Sequence, residues 1–178
     1  MIVEVMGRHV GWIALHSGMA GGAHAILIPE QPKTIEQICG WVEHVRDRGR
    51  APVLVVSEGF LLAGMEQAHS TKGLDAFNRP RLGGISEIIA PMVEERTGIE
   101  SRATVLGHTQ RGGAPSAYDR VLATRLGMAA VDAIFAEQWG SMVALKGTEL
   151  AIVSIAEATI GLNTVSPARY DEAAVLFG

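Results

Sequence analysis

Residues 2–30 read IVEVMGRHVGWIALHSGMAGGAHAILIPE, and this stretch decides the fold class. Ile2-Val3-Glu4-Val5 is a short β-type run that stops at Met6-Gly7-Arg8. From about His9 to Ala20 the spacing changes to a helical one, with Val10, Ile13, Ala14 and the small Ser17 on one face. Gly21-Gly22 end that helix, and His24 to Ile28 reads as a second strand ended by Pro29. A strand, a helix and a strand of this length make a crossover unit, and a crossover joins parallel strands.

The pattern continues outward from there. Thr34 with Gln37 three residues on is a capping-box signature, so a helix is predicted from that point to about Arg48. Pro52 to Val56 is a β-branched run that predicts a buried strand, followed by Ser57-Glu58-Gly59. Glu66 to Arg79 is mixed and polar and reads as a loop, and Leu82 to Glu95 has helical periodicity. Arg102 to Leu106 reads as a strand leading into Gly107-His108-Thr109-Gln110-Arg111-Gly112-Gly113. Ser116 with Asp119 signals a long helix to about Phe135. Met142–Leu145 and Leu150–Ile155 are strand candidates, and the tail after Ala156 reads as surface-bound. The expected fold is therefore α/β, a mainly parallel sheet with helices on both faces.

Composition excludes several functions. With 48% hydrophobic residues the chain can bury a core, and disorder is not expected. The net charge of −4 carries no basic stripe, so no nucleic-acid partner is expected. No apolar run is long enough to span a bilayer, and no signal peptide opens the chain, so no membrane partner is expected. The single cysteine, Cys39, permits no disulfide and reads as a small core residue; together with seven methionines it predicts a reducing, cytoplasmic setting. His9 and His16 share a helix face but have no third ligand beside them, so a metal reading is rejected.

In open parallel sheets ligands bind outside the carboxyl ends of the strands. Met6-Gly7-Arg8, Ser57-Glu58-Gly59 and Gly107–Gly113 are three such ends, each pairing glycine with charge. Parallel strands bring Arg8, Glu58, His108 and Arg111 to one edge, with Arg102 at the start of the last strand. Arginine and histidine bind phosphate, a carboxylate accepts hydrogen bonds from sugar hydroxyls, and glycine lets backbone approach a ligand. That set of groups describes a sugar-phosphate site.

Val3 to Arg8 followed by Gly11, and RATVLGHTQRGG at 102–113 followed by Pro115, Asp119, Arg120 and VLATRLG, resemble segments of the 6-phosphofructokinase family. The resemblance is to its C-terminal, fructose 6-phosphate-binding half, in the subgroup that has both ATP- and pyrophosphate-dependent bacterial members. It implies phosphoryl transfer to the 1-hydroxyl of fructose 6-phosphate, a glycolytic reaction. It also implies that Met6, Gly7 and Arg8 contact the sugar phosphate, with Arg8 stabilising transition-state charge. Glu58 is implied to bind sugar hydroxyls, and His108 and Arg111 the 6-phosphate. Arg102 is implied to reach the 6-phosphate of a neighbouring subunit, which makes the parent a homo-oligomer, a dimer or a tetramer.

The same resemblance divides the chain into a sugar-phosphate lobe over 1–108 and, over 109–178, a returning helix, short strands and tail. The family's glycine-rich donor loop and its Thr-Ile-Asp-Asn-Asp stretch have no counterpart. The Mg²⁺ that works with ATP or pyrophosphate is accordingly expected in a full-length parent and not in this half, and the isolated chain is expected to be inactive. The donor-selecting residues lie in the missing half, which leaves ATP and pyrophosphate both open. The helix after Gly113, which packs in the family's donor lobe, is expected to expose an apolar face. His24 stands where effector-regulated members carry an acid, which puts nucleotide control in doubt. A non-catalytic sugar-phosphate-binding module, or an inactive fragment, is the alternative reading.

Overall fold

The computed structural model describes residues 1–65 and 83–178. The expected loop over 66–79 lies outside them. The chain forms two compact units, Met1–Arg111 with Thr164–Gly178, and Gly112–Asn163.

The first unit is built on β1 (Ile2–Val5), β2 (Ala25–Leu27), β3 (Leu54–Ser57) and β4 (Ala103–Val105), in the order β2-β3-β1-β4 with every pairing parallel. The helices are α1 (Trp12–Ala20), α2 (Ile35–Asp47) and α3 (Ile85–Thr97). Alternate strand residues go to opposite faces. Ile2, Ala25, Leu27, Leu54 and Val56 pack with Ile38, Val42, Ile89 and Val93 of α2 and α3 on one side. Val5, Ile26, Ile28 and Val55 pack with Ala14 and Leu15 of α1 on the other. Burial on both faces is what turns these strands into near-continuous apolar runs.

The caps follow the sequence signals. The Thr34 hydroxyl accepts from Gln37 N, and the Gln37 side chain takes the Thr34 N–H. The helix expected from His9 begins later, at Trp12, with Gly11 as its N-cap. The Gly11 N–H donates instead to the Glu30 carboxylate at 3.1 Å.

The tail corrects an expectation, because it is not merely surface-bound. Helix α6 (Pro167–Ala174, after the short α5 at Ile155–Ala158) buries Tyr170 and Ala173 in the α1 side of the core. The Tyr170 hydroxyl donates to the Ile26 carbonyl at 2.8 Å. Phe177 then stacks edge-on against Tyr170 and Trp41.

The second unit consists of α4 (Ala117–Phe135), the antiparallel hairpin β5 (Ser141–Lys146) and β6 (Glu149–Ser154), and α5. Ser116 and Asp119 form the predicted capping box at the start of α4. No residue of α4 is fully buried, and Met128 and Phe135 are 65% and 84% exposed. The apolar exposure expected of this helix is present.

Candidate functional site

The strand order places β1 between β3 and β4, so Met6-Gly7-Arg8 leaves the sheet flanked by Ser57-Glu58-Gly59 and by a 3-10 turn over Gly107–Arg111. Each junction is fastened by backbone. Glu58 N donates to Val5 O at 2.9 Å, and Leu106 N to Glu4 O at 3.0 Å. Gly7 adopts φ 138°, a region that side chains avoid. Its carbonyl accepts from the Ser57 hydroxyl at 2.5 Å and from Gly59 N at 3.0 Å. A Cβ added at Gly59 would lie 1.9 Å from the Arg8 carbonyl oxygen, so the two loops touch through backbone.

On the other flank, Gln110 bridges the loops. Its Oε1 accepts from Met6 N at 3.4 Å, and its Nε2 donates to Gly107 O at 3.2 Å. Met6, Arg8 and Glu58 are half-buried at this edge, whereas His108 and Arg111 are exposed. The N-terminus of α1 follows directly; its first turn holds no acidic residue, but the Glu30 carboxylate at the Gly11 N-cap offsets part of the helix's partial positive charge. Arg8, His108, Arg111 and Glu58 thus leave the sheet at the same edge.

Arg102 is not brought to that edge. Its carbonyl accepts from Ile2 N, at the amino end of β1, and its exposed side chain pairs with Glu100 at 2.5 Å. The four residues of β1 separate that level from the edge where Met6-Gly7-Arg8 leaves the sheet, about 13 Å at strand rise.

Two buried polar residues next to the site's strands were not singled out in the sequence. Ser57 is one. Glu4 is the other: its carboxylate accepts from Gly84 N at 2.9 Å, Ser86 N at 2.9 Å and Ser86 Oγ at 2.8 Å. A charged residue at a core position of β1 was the available signal. His24, noted for its departure from the family pattern, has a structural task. Its Nδ1 accepts from Val53 N at 3.1 Å, and burial, followed by the charge of Arg50, lowers its pKa.

Cavities of about 280 Å³ and 300 Å³ lie elsewhere, the first beside α4 and the second at the amino ends of the sheet between Val42, Leu54 and Val93. They are lined mainly by apolar side chains and include none of Arg8, Glu58, His108 and Arg111. Among the described residues no three His, Cys, Asp or Glu side chains gather as metal ligands. The donor set among the described residues of this edge, two arginines, a histidine and one glutamate, does not fit Mg²⁺ with a nucleotide or pyrophosphate. No helix among the described residues is long and apolar enough to cross a membrane.

Known proteins resemble this chain in sequence and in fold. The sequence model of one family, Phosphofructokinase, matches residues 1–134. A pyrophosphate–fructose 6-phosphate 1-phosphotransferase of Amycolatopsis methanolica is 56% identical over 178 residues, all of this chain and 52% of that protein. An ATP-dependent 6-phosphofructokinase of Mycobacterium tuberculosis is 49% identical over 179 residues, again 52% of that protein. The chain therefore spans about half the length of the curated relatives it matches. The crystal structure of Pichia pastoris phosphofructokinase superposes with a TM-score of 0.69 at 30% identity, over 99% of this chain and 20% of that one. The sequence match and the parallel sheet agree, and the chain belongs to the phosphofructokinase family.

Proposed function

We propose that the first unit, which contains the whole of the 1–108 lobe, binds fructose 6-phosphate as the acceptor half of a 6-phosphofructokinase. The observation that carries this reading is the position of β1 between β3 and β4. It gathers Arg8, Glu58, His108 and Arg111 at one edge, and they suit the parts of a sugar phosphate. His108 and Arg111 take the 6-phosphate, Glu58 accepts from sugar hydroxyls, and Met6 and Gly7 line the sugar. Arg8 approaches the 1-hydroxyl, where charge develops during phosphoryl transfer.

Such transfer depends on positioning and charge stabilisation more than on covalent chemistry from the protein. This half orients the acceptor hydroxyl and offers Arg8 to the transferring group. The donor, ATP or pyrophosphate with Mg²⁺, is held by residues outside the matched half of the relatives. Arg102, turned away from its own site, serves the 6-phosphate of a second copy in a dimeric or tetrameric parent. A cytoplasmic setting suits that chemistry and the lone thiol.

Calorimetric titration of the 178-residue chain with fructose 6-phosphate tests the reading. Saturable binding that weakens by roughly one to two orders of magnitude in Arg111→Ala is expected. Equal, non-saturating heats for fructose 6-phosphate and glucose would refute it. With ATP or pyrophosphate and Mg²⁺ the chain alone is expected to give no turnover. Turnover near that of an intact phosphofructokinase would place a donor site within these residues and overturn the division of labour.

A further inference from the structure

We infer that Ser57 is a positioning residue that holds Arg8 and Glu58 as one rigid pair, an inference that rests on the sugar-phosphate reading of this edge. Ser57 ends β3, where Leu54, Val55 and Val56 are apolar, and it is itself fully buried. A hydroxyl there adds nothing to the core and must find a partner. It donates to the Gly7 carbonyl at 2.5 Å, and Gly59 N reaches the same oxygen at 3.0 Å. Both lone pairs of that carbonyl are thereby taken, which fixes the plane of the Gly7–Arg8 peptide.

The clamp works on an element that only glycines fit. Gly7 sits at φ 138°, and the Arg8 carbonyl lies so close to Gly59 that no Cβ fits between them. Residue 58 lies between the two clamping residues in sequence, and its own N–H is bound to Val5 O at 2.9 Å. Neither the Arg8 backbone nor the Glu58 backbone can shift without breaking one of these bonds. The spacing between the cation and the carboxylate is thus set before a ligand arrives, which lowers the ordering cost of binding. His108 and Arg111 sit on the other flank of β1 and are not part of this clamp.

The test is a double-mutant cycle on the 178-residue chain, with Ser57→Ala, Arg8→Ala and the double variant titrated with fructose 6-phosphate and, separately, with inorganic phosphate. Ser57→Cys, which keeps the shape and weakens the donor, serves as the second variant should alanine impair folding. Loss of one such buried bond is expected to weaken fructose 6-phosphate binding about ten-fold. Inorganic phosphate affinity should change less than about two-fold, because its partners lie across β1. In the Arg8→Ala background the further effect of Ser57→Ala should fall well below that about ten-fold loss, since only Glu58 is then left to position. Equal losses for both ligands, or full additivity with Arg8→Ala, would make Ser57 a general stabiliser and overturn the inference alone. Failure of the wild-type chain to bind fructose 6-phosphate would overturn the sugar-phosphate reading and this inference with it.

Discussion

Glu4→Gln is an isosteric change at a buried carboxylate, and the structure lets its cost be worked out. Glu4 is 2% exposed and takes hydrogen bonds from Gly84 N, Ser86 N and Ser86 Oγ. Gly84 is the N-cap of α3 and has no side chain to serve as a cap, so a strand residue supplies the missing acceptor and a negative charge at the helix start. Glutamine keeps one oxygen and replaces the other with an amide that only donates. With its oxygen at the Oε1 position glutamine leaves Ser86 N facing a donor; with it at the Oε2 position Ser86 N keeps its acceptor and Gly84 N keeps only its longer 3.2 Å bond. An unsatisfied buried donor costs ~1–3 kcal/mol, and the lost charge at the helix terminus costs ~0.3–1 kcal/mol more. The sum is ~1–4 kcal/mol, which for a chain of this size lowers the Tm by roughly 3–16 °C. Unfolding should be followed by the fluorescence of Trp12 and Trp41, both in the first unit, in a Trp139→Phe background that silences the second. Ser86→Ala should lose less by itself, and the pair should be coupled by about 1 kcal/mol or more. A loss below ~0.5 kcal/mol for Glu4→Gln, the size of an ordinary surface change, would refute the assignment of the cap to Glu4.

Further outcomes follow from the site and its supports. Arg111→Ala removes a charge-assisted partner of phosphate worth ~1.5–3 kcal/mol, so fructose 6-phosphate affinity should fall by roughly one to two orders of magnitude in a titration. Glu58→Gln keeps one acceptor and in a complete enzyme should weaken sugar binding more than the chemical step; single-turnover chemistry that collapses with normal binding would contradict its role. Burial, followed by the charge of Arg50, holds the His24 pKa below its unfolded value of ~6.5. As the pH falls through that value the unfolded chain takes up a proton that the folded chain refuses, so stability drops on the acid side. His24→Asn keeps an acceptor for Val53 N–H and should flatten the difference in Tm between pH 7.5 and pH 5.5.

What the sequence conveyed and what it withheld divide along physical lines. Local signals were legible. Thr34 with Gln37 and Ser116 with Asp119 became capping boxes, since a cap involves only residues three apart. The apolar runs became strands because burial on both faces demands them. Strand order was not legible, because nothing local says that the third strand inserts between the second and the first. The tail was misread for a similar reason: Tyr170 and Phe177 are anchored by Ile26 and Trp41, far away in sequence. The candidate residues Arg8, Glu58, His108 and Arg111 could be read from charge beside glycine at strand ends. Ser57 and Glu4, the buried polar residues nearby, could not, because a serine after a strand and a glutamate within one acquire meaning only from the atoms they reach.

The charge at the edge bears on the division of labour proposed for this chain. Arg8 and Arg111 against Glu58 leave one net positive charge at these strand ends. A sugar 6-phosphate near neutral pH carries about −1.5 to −2, the charge of a phosphate monoester. The acceptor alone therefore uses up the positive charge that these strand ends provide. A polyphosphate donor brings further negative charge to the same point, and phosphoryl transfer requires that charge to be neutralised by cations and preorganised donors. The first turn of α1 adds only a partial charge, and the described residues gather no acidic cradle through which a metal could contribute. An edge charged in this way is suited to hold the acceptor still. On this reading, the groups that neutralise the donor must approach from outside these strand ends and meet Arg8 at the 1-hydroxyl, where the two sets of charges converge.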